Sequence, residues 1–144
     1  MTNTDVVKRL YELFETGNNN AIRQILDDNV EWNQMKGFPS GGQFVGIEAV
    51  LDNVFGGFRQ NWTDWKATIT QYIETEDGAF VIGFYSGTYN ATGLSTRSEF
   101  VSDYRVKNGR ITAFNQYTDT FLIARAMGLT REYVENLATT SAEL

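Results

Sequence analysis

Apolar side chains along this chain switch between two spacings, and the switches divide it into elements. Over residues 4 to 16, Val7, Leu10, Tyr11 and Phe14 recur every three or four positions, the period of a helix with one buried stripe, and Gly17 is placed to end it. After the turn 17-GNNN-20, Ile22, Ile25 and Leu26 repeat that spacing and predict a second short helix over 21–28. At 29–35 the period drops to two: Val30, Trp32 and Gln34 share one face while Glu31 and Asn33 share the other, which reads as a strand. The stretch 36–46 holds the only proline and four of the glycines and reads as a long loop. Helical spacing returns over 47–60 through Val50, Leu51, Val54, Phe55 and Phe58.

From 62 to 118 the pattern predicts a run of strands at 62–76, 79–89, 95–106 and 110–118. Turns fall at Asp77-Gly78, at 90-NATG-93 and at Asn108-Gly109, the last a dipeptide suited to a two-residue hairpin. A helix over 119–127 follows, with Gly128 able to cap it and further helical turns over 130–138. Helices first, then a meander of strands, predicts the α+β class: a curved antiparallel sheet with its helices gathered on one face. A single domain is expected over 1–144, with a core of about 4–124 and a C-terminal helical extension over 119–140.

Composition narrows the function classes. A chain of 144 residues can bury roughly 70% of its unfolded surface without covalent staples. It has no cysteine, which excludes disulfides and thiolate chemistry, and no histidine, which removes the usual base at neutral pH and the commonest metal ligand. Net charge is -6 and the basic residues are scattered, a poor match to nucleic acid. The opening MTNTDVVKRL has no apolar signal core, and no apolar run approaches the ~20 residues that cross a bilayer, so no membrane partner and a cytoplasmic location are expected. The segment 41-GGQFVG-46 lacks the Lys-Ser/Thr ending of a phosphate loop, and no helical ligand pair or Asp-rich loop suggests a metal site. No cofactor is expected.

The segments 7-VKRLYELFETGN-18, 29-NVEW-32, 85-YSGTY-89 and 107-KNGRITAFNQYTDT-120, with Gly46 opening a helix, resemble the nuclear transport factor 2-like superfamily over residues 4–124. Ketosteroid isomerases, limonene-type epoxide hydrolases and SnoaL-like polyketide cyclases share that fold. SnoaL-like and ketosteroid-isomerase-like proteins are the nearest in pattern. The resemblance implies a cystatin-like cone in which the helices cover the concave side of the sheet and enclose a pocket.

Strand alternation assigns two rows of side chains to each strand. The resemblance selects the rows containing Trp32, Phe84, Ser102 and Gln116 as concave. The expected pocket is Tyr11, Trp32, Gln34, Phe55 and Phe58, with Phe84, Phe100, Ser102, Phe114 and Gln116 from the later strands. The opposite face would then carry Tyr85, Tyr89, Val101 and Tyr117, an apolar patch of the kind that marks an interface, so a homodimer through the convex face is expected.

The catalytic sets of these relatives do not carry over. The isomerase base falls on Trp32, its helix tyrosine on Leu10 with Tyr11 adjacent, and its protonated carboxylic acid on Ser102. The epoxide-hydrolase Tyr and Asn fall on Trp32 and Gln34, its arginine and aspartate near Phe84 and Ser86, and its last-strand aspartate on Gln116. An amide cannot take a proton from water at neutral pH. Asp119 reads as a helix cap, and Asp103 and Glu99 as surface ion-pair partners of Arg105 and Arg97. What remains is Gln34, Gln116, Ser102 and the Trp32 indole N–H facing an apolar interior, either as a self-satisfied core network or as anchors for a ligand. Two functions stay open: a SnoaL-like protein that binds a hydrophobic small molecule, with or without cofactor-free isomerase, cyclase or hydrolase activity, and a non-catalytic dimerisation or assembly module with a vestigial pocket.

Overall fold

The computed structural model describes residues 1–129 and Glu135; the turns expected over 130–138 otherwise lie outside the described residues. The helix α1 spans Asn3–Thr16. A capping box starts it: the Thr2 hydroxyl accepts from the Asp5 N–H at 3.1 Å, and the Asp5 carboxylate accepts from the Thr2 N–H at 3.0 Å. Gly17 ends it at φ 69°, a left-handed conformation that costs glycine little. Asn18 caps α2 (Asn19–Ile25), accepting from the Ala21 N–H.

The second helix stops earlier than its spacing predicts. Leu26 is already extended and fully buried, paired with Ile111, so strand β1 runs Leu26–Gln34. Sheet pairing overrides the helical period there. The glycine-rich stretch holds a short strand, β2 (Gly42–Val45), antiparallel to β1, and turns Phe38 into the core. The helix expected over 47–60 is broken into α3 (Ile47–Val50), a π-helical turn (Leu51–Phe55) and α4 (Phe58–Asn61), with Gly56-Gly57 at the second break. Glycine's backbone entropy makes that pair a natural interruption.

Strands β3 (Trp62–Glu74), β4 (Gly78–Tyr89), β5 (Ser95–Lys107) and β6 (Arg110–Thr118) complete a sheet ordered β2-β1-β6-β5-β4-β3. All ladders are antiparallel except β1 with β6, so the α+β sheet is mixed. Asn108 and Gly109 take φ values of 54° and 75° at the β5–β6 hairpin. Register shifts at Thr63/Lys66 and Ile69/Gln71 on β3, and at Thr112 of β6 opposite Arg105/Val106, bend the strands into an open curve. Helix α1 lies across the concave side, where Val6, Val7, Leu10 and Leu13 are buried against the sheet. The last described helix, α5 (Phe121–Ala126), packs on β5, and Asp119 accepts from the Leu122 N–H, the capping role expected of it.

One assignment of faces is overturned. Tyr85 pairs with Ser98 and Gly83 with Phe100, so the inward row of β4 is Val81, Gly83 and Tyr85. Phe84 points outward, with the Arg97 guanidinium 3.7 Å above its ring. Tyr85 and Tyr89 therefore leave the expected convex patch: Tyr85 is buried, and the Tyr89 ring packs edge-on against Trp62. Both rows of β4 are apolar, so composition could not choose between them; the cross-strand register does.

Candidate functional site

Three neighbouring strands bring a polar row to the middle of the concave face. Gln116 on β6 pairs with Ser102 on β5, and the β1–β6 register, Trp32 with Phe114 and Asn33 with Asn115, continues to set Gln34 beside Gln116. Adjacent strands lie ~4.8 Å apart, so these side chains stand within reach of one another and of whatever covers them. Gln34, Ser102 and Gln116 are all buried.

Their hydrogen bonds fix which way each amide points. The Met35 N–H, which can only donate, reaches Gln116 Oε1 at 3.0 Å. Gln116 Nε2 must then face the Tyr85 hydroxyl, to which it donates at 2.9 Å. Tyr85 accepts in that bond, and its own hydrogen is left to point elsewhere. The Trp32 indole N–H donates to Gln34 Oε1 at 3.0 Å, which turns the Gln34 amide nitrogen away from the indole. Tyr11 from α1 and Tyr104 from β5 share a hydroxyl–hydroxyl bond of 2.8 Å. The Ser102 hydroxyl is buried without a hydrogen-bond partner among the described residues.

These tyrosines stay neutral well beyond physiological pH. Burial pushes the Tyr85 hydroxyl up to about 12, and the nearby Gln116 amide and Ser102 hydroxyl only partly oppose it. Burial also pushes Tyr11 and Tyr104 well above the ordinary tyrosine value, reinforced at Tyr11 by the neighbouring Tyr85 and at Tyr104 by Tyr11.

Aromatic rings enclose the space above this row. Trp32 stacks on Phe114 at 4.0 Å, and Phe58 of α4 stacks on Trp65 of β3 at 4.5 Å. Phe55, from the π-helical turn, closes on both Trp32 and Phe14. Arg59 ties this covering segment to α1 by donating to the Phe14 and Glu15 carbonyls at 3.0 and 2.6 Å. The hollow is about 50 Å³, and none of its lining side chains is charged. Tyr11 and Ala67 also border an outer groove between α1 and β3, rimmed by Lys8, Glu12, Glu15 and Lys66, so the hollow lies one side chain from solvent there.

Of the residues anticipated from sequence, Tyr11, Trp32, Gln34, Phe55, Phe58, Phe114 and Gln116 surround this hollow. Phe100 and Ser102 sit inward but beneath it, Phe100 stacked under Tyr85 at 4.3 Å. Phe84 lies on the opposite face. Asp103 and Glu99 pair with Arg105 and Arg97 at the surface, as expected. Sequence reasoning missed Tyr85, Phe38 and Trp65, and left Tyr104 out of the expected pocket although it shares the inward row of Ser102. The turn 90-NATG-93 carried the signal for Tyr85: a hairpin centred there pairs residue 85 with residue 98 and so places both on the Ser102 row. No sequence signal pointed Phe38 inward from its loop.

Comparison with known proteins agrees with this architecture. The family profile described as a SnoaL-like domain matches residues 7–114. An NTF2-like protein from Burkholderia thailandensis E264 superposes with a TM-score of 0.83 at 30% identity, over 88% of this chain and 98% of that one. A protein with a ketosteroid isomerase-like fold from Catenulispora acidiphila, solved in complex with trimethylamine, gives 0.75 at 15% identity, over 89% and 95%. A Shewanella denitrificans OS-217 protein named for its likeness to SnoaL-like polyketide cyclases gives 0.72 at 7% identity, over 88% and 96%. No curated protein matches the chain. The chain thus belongs to the SnoaL-like domain family, within the nuclear transport factor 2-like superfamily.

Proposed function

We propose that this protein binds a small, mainly apolar molecule in the hollow between the concave sheet and the segment 51–58. The observation that carries this reading is the rack of Gln34, Gln116 and Tyr85, set in fixed orientations at the edge of an otherwise aromatic enclosure. Apolar pockets with a few oriented polar groups are the usual form of small-molecule sites. A cavity of about 150 Å³ takes up benzene, whereas this one is about 50 Å³, so a ring-sized ligand enters by displacing Phe55 and its neighbours. That wall is the one built from a π-helical turn and a Gly-Gly break. Neutral tyrosine hydroxyls can stabilise charge that develops on a ligand oxygen. They are poor bases, and the lining offers no carboxylate to remove a proton. Binding, with any catalysis confined to electrophilic assistance, is therefore the function these groups support. Thermal shift against terpenoid, steroid and polyketide-like compounds tests it: stabilisation by one class that Gln116→Leu abolishes supports the reading, and no stabilisation by any class contradicts it.

The convex face favours a second, compatible role. Val101 and Tyr117 are direct cross-strand neighbours, 38% and 56% exposed, with Ile82 beside Val101 on the next strand. We propose that this row pairs with a second copy of the chain, a contact that leaves the hollow free on the other side of the sheet.

A further inference from the structure

The hollow makes no use of sulfur, yet the chain places one sulfur atom with care. With no cysteine, its sulfur nucleophiles are Met1, Met35 and Met127. Met1 is 90% exposed, and Met127 packs against the core. Met35 differs from both: it is 38% exposed, and its Sδ accepts a hydrogen bond from the Thr118 N–H at 3.3 Å. The reason lies in the strand ends. Strand β1 stops at Gln34 while its neighbour β6 runs on to Thr118, so the side chain that follows β1 covers the end of β6. A thioether is a weak acceptor for such an N–H. Its sulfoxide is a polar group with a full oxygen acceptor, carried on the same flexible side chain.

We propose that Met35 is a site of reversible oxidation to the sulfoxide, the new oxygen taking over the Thr118 N–H from the sulfur. The oxidant is a peroxide. A sulfur lone pair attacks one peroxide oxygen, the O–O bond breaks, and the second oxygen takes the proton of the first and leaves as water. Sulfur is oxidised by two electrons and the peroxide is reduced by the same two. The Thr118 N–H covers one of the two sulfur lone pairs, so attack comes at the other and forms one sulfoxide epimer in excess. Rotation about the Cγ–Sδ bond then carries the oxygen to the N–H, while the Met35 backbone stays held by its own N–H on Gln116 Oε1 at 3.0 Å. The return step takes two thiols to a disulfide and water, and in a chain without cysteine those thiols come from a separate reductase.

Hydrogen peroxide added to the folded full-length protein, at a dose that fully oxidises Met1, tests this. Peptide mass spectrometry locates the added oxygen. The digested peptides are then treated with the two classes of methionine sulfoxide reductase, each specific for one epimer. The expected result is Met35 sulfoxide that one class removes almost wholly and the other scarcely touches, whereas protein oxidised in urea gives an even mixture at the same residue. Amide spectra of the folded oxidised protein should show the Thr118 resonance moved downfield and its hydrogen exchange slowed. Met35→Leu keeps a similar volume without the sulfur, so peroxide should leave its Thr118 resonance unmoved. An unoxidised Met35, an even mixture of epimers from the folded protein, or a Thr118 amide that gains no protection overturns the proposal.

Discussion

Gln116 is a buried amide on β6, and its two hydrogen bonds show what it does there. It joins the Met35 backbone to Tyr85 and so fixes one wall of the hollow. Gln116→Leu keeps a similar volume and breaks both bonds, leaving the Met35 N–H and the Tyr85 hydroxyl without this partner; urea unfolding should show a loss of about 1–3 kcal/mol. The buried tyrosines give a second prediction at this scale. An unfolded tyrosine ionises near ~10, and Tyr85 in the folded chain only at about 12. The folded state therefore holds its proton while the unfolded chain releases one, so this contribution to stability is complete below about pH 10 and is lost as pH rises through about 12. Tyr11 and Tyr104 shift in the same direction. Absorbance at the phenolate band should show a late group of tyrosines that titrates together with the loss of circular dichroism. Titration of every tyrosine before unfolding would contradict it. Trp32 and Gln34 were legible from alternation because their strand has one apolar and one polar row, whereas the row of Gln116 is mixed and was chosen by the family resemblance. Phe84 and Tyr85 were not, because both of their rows are apolar.

At the scale of elements, turn chemistry held more information than hydrophobic pattern. The hairpin at 90–93 fixes the β4–β5 register and with it the inward face of β4. Helices α1 and α5 and the four long strands were readable from spacing. The parallel pairing of β1 with β6 was not, since nothing local to either strand encodes a partner far away in sequence. Strand β2 was hidden because its glycines and proline-flanked context look like loop. Gly83 marks how tightly the curved strands approach: a Cβ there would lie 2.1 Å from the Thr68 carbonyl oxygen. Gly83→Ala should destabilise by about 1–3 kcal/mol or more by forcing β3 and β4 apart, seen as a lowered thermal midpoint. The covering segment behaves differently. Phe55 is only half buried, so Phe55→Ala should cost less than the ~3–5 kcal/mol of a fully buried Phe. The same change should widen the hollow and speed ligand exchange, measurable by relaxation of ligand resonances; unchanged exchange would mean the ligand enters elsewhere.

For the whole molecule, the sheet separates two surfaces with different work. The concave side holds the proposed site, and the convex side exposes Val101 and Tyr117. Light scattering at micromolar concentration should give a dimer mass, and Tyr117→Asp should convert it to monomer without changing the circular dichroism; a monomeric wild type ends the pairing claim. No helix among the described residues is long and apolar enough to cross a membrane. The central claim is that the hollow under Phe55 is a binding site and not a packing defect filled by its own rings. A crystal structure of the protein grown with the strongest compound from the thermal-shift panel tests it most directly. Density for that compound between Trp32, Phe55 and Gln116 is the predicted result. Closed aromatic rings with the compound absent, or bound on the outer face, would contradict it.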